Sequence, residues 1–100
     1  MEFRHDANRH RYVLADDTDT VVASTYYTVR QDHVFFNHTE IADGHEGEGL
    51  GTVLVKGALD DVRAGGTKIV PLCAFVRGWI ERHPEYDDLV DHELLSLYLR

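Results

Sequence analysis

The sequence predicts an α/β fold of the mixed α+β kind: one domain over residues 1–100, built on a single open mixed sheet. Three observations predict it. Between Arg11 and Ile41 the chain runs in short segments rich in β-branched and aromatic residues, the composition of half-buried strands. From Leu50 onward the apolar residues Leu50, Val53, Leu54, Ala58 and Val62 fall at helical spacing. Between the two regimes lie glycines at alternate positions, Gly47, Gly49 and Gly51.

In chain order, Arg11–Ala15 is a short strand, and Asp16, Asp17, Thr18 and Asp19 supply the turn after it. Residues 20–29 form a second strand, with Val21, Ala23, Thr25 and Tyr27 on one face. Gln31 and Asp32 turn the chain into a third strand, His33–Ile41. These three form an antiparallel meander, and little chain precedes Arg11. After the glycine loop, the helix from Leu50 ends at Gly65 and Gly66, because glycine accepts the backbone that closes a helix. Thr67–Leu72 is a fourth strand. The intervening helix allows a crossover, so this strand runs parallel to the third. A further helix starts near Phe75 and presents Phe75, Val76, Trp79 and Ile80 on one side. His83-Pro84 stops it, Pro84 opens another turn, and Leu94, Leu95, Leu97 and Tyr98 give the tail an apolar helical face. The predicted order is therefore antiparallel meander, glycine loop, helix, strand, helix.

Composition excludes several functions. The formal net charge is −8 with the basic residues scattered, so nucleic acid is repelled over most of the surface. No stretch reaches the roughly 20 apolar residues of a bilayer span, and the start has no apolar leader. One cysteine forms no internal disulfide. A cytoplasmic protein with no membrane partner is the expectation. Seven histidines raise the question of a metal, but His33, His38 and His45 follow no ligand pattern and no CxxC or HExxH occurs, so none is expected.

The loop from Gly44 to Gly51 lies between a strand and a helix. Its glycines clear side chains from the path of a ligand, and the helix offers free N–H groups and the positive end of its dipole, a setting suited to pyrophosphate. A tight turn without ligand has the same pattern. A Walker loop is excluded because no Lys-Ser or Lys-Thr follows. The dinucleotide fingerprint is excluded because the spacing is G-x-G-x-G behind an antiparallel meander.

These glycines follow a strand ending His38-Thr39-Glu40-Ile41, and the segment Ile69–Tyr86 carries Pro71-Leu72-Cys73. In that combination the chain resembles, from about Arg11 to Val90, the small YjdJ-like N-acetyltransferase-domain branch of the GNAT (acyl-CoA N-acyltransferase) superfamily. The resemblance implies a GNAT-like sheet and acetyl-CoA (coenzyme A) as cosubstrate, with the pantetheine arm beside the third strand and the pyrophosphate on the loop amides. The implied cofactor-binding positions are Thr39, Glu40, Ile41, Glu46, Gly47, Glu48, Gly49, Leu50, Gly51 and Thr52. Glu46 departs from the Arg or Gln common in that loop, and Glu48 adds a second carboxylate. Both must point away from a polyanion to avoid like-charge repulsion. Pro71 has no N–H to give a ladder, which suits a sheet splayed open there and equally suits a plain edge strand.

Two residues are candidates for chemistry. Cys73, at the end of the fourth strand, is a nucleophile or proton donor, or a small side chain lining the site. His38 borders the expected thioester, and an imidazole suits proton transfer, although a structural role is equally open. By strand alternation His33 faces opposite His38 and Glu40 shares its side. Arg77, Arg82 and His83 are within possible reach of a CoA phosphate. The expected function is acetyl transfer to an amine on a small molecule, a protein lysine or an N-terminus. The alternative is a non-catalytic CoA-binding or protein-interaction module.

Overall fold

In a computed structural model, which describes residues 1–100, the chain begins with a strand that the hydrophobic pattern does not announce. This strand, β1 (Glu2–Asp6), pairs antiparallel with β2 (Arg11–Ala15). Only Phe3 among its residues is apolar, and it is partly buried against the core; the strand is held by its partner's backbone rather than by an alternating pattern. β3 (Val21–Arg30) and β4 (His33–Ile41) continue the meander, which therefore has four strands rather than three.

Local chemistry sets the turns. Asp16 Oδ1 accepts from the N–H groups of Thr18 at 2.9 Å and Thr20 at 3.0 Å, closing the β2–β3 turn. Gln31 and Asp32 both have positive φ, +55° and +59°, the paired left-handed conformation that matches strand twist in a two-residue hairpin. After the glycine loop, α1 (Leu50–Ala64) crosses to β5 (Lys68–Pro71), which pairs parallel with β4. α2 (Ala74–Arg82), a 3₁₀ segment at Pro84–Leu89 and α3 (His92–Tyr98) complete the chain. No helix is long and apolar enough to cross a membrane.

The helices divide between the two faces of the sheet. α1 and α2 cover the inner face, where Tyr12 Oη donates to Asp61 at 2.7 Å and Tyr86 Oη donates to Asp60 at 2.7 Å. α3 covers one end of the outer face, with the Tyr98 ring edge-on to Phe35. Adjacent Phe35 and Phe36 are both fully buried because each face is covered at that point.

Two register shifts correct the alternation read from sequence. The first lies where β2 meets the start of β3, so that Ala15 pairs with Val21 and Leu14 with Ala23. Val22, not Val21, joins the core. The second inserts Asn37 into β4 between Phe36, which pairs with Tyr27, and His38, which pairs with Tyr26. The extra residue resets the parity, and His38 falls on the same outer face as His33. On α1, Val53 is half exposed, and the buried stripe runs through Leu54, Val55, Ala58 and Leu59.

α3 is pinned by one ion pair. Asp91 caps it by accepting from Leu94 N–H at 2.9 Å, and its other oxygen lies 2.8 Å from His33 Nε2. His33 is held above the ordinary imidazole value, chiefly by its Nδ1–H donating to the Gln31 carbonyl and further by Asp91. Asp91 is held below the carboxylate range by the Leu94 amide and then His33. A raised histidine adds stability that is complete below its unfolded value and lost as pH rises through the folded one. A lowered carboxylate loses its contribution as pH falls. The melting-temperature gap between wild type and His33→Gln should therefore be larger at about pH 5.5 than at about pH 8.5, on either side of the ordinary imidazole value near 6.5. An equal gap at both values contradicts the assignment.

Candidate functional site

The site forms where the parallel pairing stops. β4 and β5 are in register from His33 with Lys68 to Phe36 with Pro71. The last main-chain bond runs from Cys73 N–H to Phe36 O at 2.8 Å. Beyond it, β4 continues through Asn37 to Ile41 with β3 on one side and no strand on the other. Pro71 precedes that bond, and its nitrogen lies on the side of β5 away from β4, the side on which Asp91 N–H donates to Ile69 O. Arg77 occupies the carbonyls at that end, donating to Pro71 O at 3.1 Å and Leu72 O at 3.0 Å. This fixes how α2 leaves the strand and takes Arg77 away from any phosphate.

Cys73 stands at the mouth of the gap as the N-cap residue of α2, buried but for 8% of its surface. Its Sγ lies 3.3 Å from Thr39 Oγ1, which lies 3.0 Å from Thr25 Oγ1. These protic groups form a chain from β3 across β4 to the gap. Thr25 was not singled out from sequence as a site residue, although its place on the Ala23, Thr25, Tyr27 face pointed inward. His38 does not join them. It lies on the outer face with 61% of its side chain exposed, Nε2 at 3.0 Å from Glu40 Oε1. β4 thus presents Thr39 inward and the His38–Glu40 pair outward.

Below the gap, the loop between β4 and α1 borders a cleft of about 290 Å³. Ile41, Glu46, Gly47, Gly49, Leu50, Gly51 and Thr52 line it, joined by Phe75, Trp79 and Arg82 from α2. No N–H from Glu46 through Thr52 donates to another protein group. The first helical bond of α1 is Val53 N–H to Gly49 O, and Gly49 caps the helix without a side chain. Unsatisfied donors at the positive end of a 15-residue helix are suited to phosphate oxygens. Gly47 and Gly49 adopt φ of +83° and +74°, which turns the chain into the helix at little steric cost only without a Cβ.

The two loop carboxylates are held by partners at the loop entrance. Glu46 Oε2 accepts from Gly44 N–H at 2.9 Å, and Glu48 Oε1 lies 2.9 Å from His45 Nδ1. Glu48 does not line the cleft, as expected, but Glu46 does, with one oxygen drawn back to Gly44, and Arg82 stands in the same lining and makes no ion pair. His83 is stacked on Trp79 at 3.9 Å, with Nδ1–H donating to Trp79 O. Trp79 Nε1–H donates to Thr52 Oγ1 at 3.3 Å, so a residue of the core also ties the cleft wall to α1.

Comparison with known proteins finds a family model and similar solved structures. A family model described as GCN5-related N-acetyltransferase matches residues 11–89. The fold is similar to the solution structure of a GCN5-like candidate N-acetyltransferase from Staphylococcus aureus, with a TM-score of 0.69 and 24% identity over 89% of this chain and 86% of that one. No curated protein matches.

Gly51 has a different task from Gly49. A Cβ at Gly51 would stand 2.3 Å from Phe75 Cζ, whereas a Cβ at Gly49 would meet no atom within 4 Å. Gly51→Ala should therefore destabilise by about 1 kcal/mol, the low end of overpacking because the Phe75 ring is exposed and can swing. Adding Phe75→Ala should relieve part of that loss, giving a double variant less destabilised than the sum of the two. Gly49→Val should lose about 1–2 kcal/mol through its backbone alone and show no such coupling to Phe75. Thermal unfolding of wild type, the three single variants and the two double variants with Phe75→Ala checks this, and additive effects for Gly51 and Phe75 contradict the packing assignment.

Proposed function

The chain belongs to the GCN5-related N-acetyltransferase family, and from that premise we propose that it binds acetyl-CoA in the loop cleft and transfers the acetyl group to an amine. The observation that carries this reading is the unbroken run of unsatisfied amides from Glu46 to Thr52, leading to the free edge of β4. Those amides fit a pyrophosphate, with Arg82 as the nearby cation. The unpartnered main chain of Thr39, Glu40 and Ile41 fits an extended amide-bearing arm, as a sheet edge accepts an added strand.

Acetyl transfer forms a bond from the amine nitrogen to the carbonyl carbon while the carbon–sulfur bond breaks. One proton must leave the nitrogen and one must reach the departing sulfur. In this reading the two faces of β4 divide the work. His38, held by Glu40 on the outer face, takes the proton of the incoming amine. Cys73 and Thr39, 3.3 Å apart on the inner face, are the protic groups beside the leaving thiolate. Direct transfer needs no enzyme nucleophile. No Lys or Arg side chain is hydrogen-bonded to Cys73, whose side-chain partner is a neutral hydroxyl, so Cys73 lines the site and supplies a proton rather than carrying the acetyl group.

Acetyl-CoA at a hundredfold excess over its dissociation constant should stabilise the protein by about 2.7 kcal/mol. Cys73→Ala should retain activity to within about 10²-fold, the range of a lost proton donor. Intact-protein mass spectrometry with acetyl-CoA and no acceptor provides the decisive reading. An acetyl adduct that forms rapidly on Cys73 and is discharged by added amine overturns direct transfer. Stabilisation without turnover on any amine favours the non-catalytic CoA-binding module, and no stabilisation rejects the cofactor.

A further inference from the structure

The outer face of the sheet holds a groove beside the His38–Glu40 pair, to which the acetyl-CoA reading assigns no occupant. It encloses about 490 Å³ along β3 and β4, and α3 covers this face only at the end marked by Phe35 and Tyr98. Ser24 lies in its wall, 4% exposed and directly opposite Glu40 in register. Every side-chain nitrogen or oxygen sealed from solvent in this protein has a hydrogen-bond partner. The Ser24 hydroxyl has none, so it is not sealed and opens into the groove. A mostly buried hydroxyl with no protein partner offers a hydrogen bond to whatever enters the groove.

The charge around Ser24 selects the visitor. Glu40 and Asp43 line the groove. Asp43 makes no ion pair, and Glu40 keeps Oε2 free beside the Oε1 that meets His38. Arg11, the cation of the lining, is neutralised by Asp6 at 2.9 Å and reaches Tyr26 Oη at 3.3 Å. Neither carboxylate has a lysine or arginine partner, a combination that attracts ammonium groups and disfavours anions, while the Tyr26 ring at the wall is already covered by Arg11 at 5.9 Å and stacked on His38. The groove also adjoins the gap: Glu40 and His38 flank Thr39 on the strand whose edge has no partner.

We infer that this groove is the acceptor site, and that it takes an aliphatic amine bearing more than one positive charge. One ammonium rests between Glu40 and Asp43 with an N–H donated to Ser24 Oγ, while a second nitrogen lies at the open edge of β4 beside His38. The role as acceptor site rests on the acetyl-transfer reading, but the affinity of the groove for the cation does not, and the two are separable by experiment.

Spermidine is the probe, titrated without acetyl-CoA at about 150 mM salt, where a Debye length of about 8 Å screens general attraction to an acidic protein. Amide shifts should concentrate at Ser24, Tyr26, Glu40 and Asp43. The double variant Glu40→Gln/Asp43→Asn should weaken binding by about tenfold, the effect of removing two partly screened ion pairs. Glu81→Gln, a carboxylate on α2 outside the groove, should leave the affinity unchanged, and n-butylamine should bind more weakly than spermidine. Absent binding, shifts scattered over all the acidic residues, or equal affinity in the double variant each overturn the inference. Spermidine binding of the expected pattern in a protein that fails to bind acetyl-CoA leaves the cation site standing and rejects the acetyl-transfer reading.

Discussion

The parallel pairing of β4 with β5 ends at Phe36 and Pro71, and the position of that ending governs the rest of the site. A ladder continued by two more residues would close the edge of β4 and cover Thr39. After Pro71 the chain turns at once: Leu72 N–H closes on Val70 O, Cys73 N–H reaches back to Phe36 O, and Arg77 takes up the carbonyls of Pro71 and Leu72. The gap is thus a stop made by the tight turn at the end of β5 and secured by four hydrogen bonds. It brings Cys73 to Thr39 and points α2 along the cleft that Phe75, Trp79 and Arg82 help to line.

From that gap the two faces of β4 acquire different characters. The inner face is threonine and thiol, mostly buried and uncharged, beside a loop whose amides are unsatisfied. The outer face is imidazole, carboxylate and an open hydroxyl, exposed and negative. Asn37 makes this division possible. Its insertion leaves Phe36 under α1 while returning His38 to the outer face, where it meets Glu40. Without the extra residue, the strand that buries Phe36 would have turned His38 inward. A 100-residue chain thereby presents two chemically different faces from one strand.

Much of this was legible in the residues. The strand His33–Ile41 and the helix start at Leu50 are observed at the predicted positions, because a period change across a glycine run is a strong local feature. The fourth strand and second helix are observed within a residue or so of the boundaries expected. β1 was not legible, since Glu2, Arg4, His5 and Asp6 look like a solvated tail and their pairing is carried by the backbone. Nor were the two register shifts, which depend on how neighbouring strands meet and leave no mark in composition. The placement of His33 and His38 on opposite faces failed for that reason. Thr25 and the open Ser24 hydroxyl belong to the same class, as their significance comes from partners, or a missing partner, far along the chain.

The central claim is that the loop amides and the free edge of β4 together hold the coenzyme, and amide chemical shifts during a titration with CoA test it most directly. The account predicts the largest changes at Glu46 through Thr52, a second group at Thr39, Glu40, Ile41 and Cys73, and little change in β1 and α3. Saturable binding with the loop amides unmoved, or no binding at all, would contradict it.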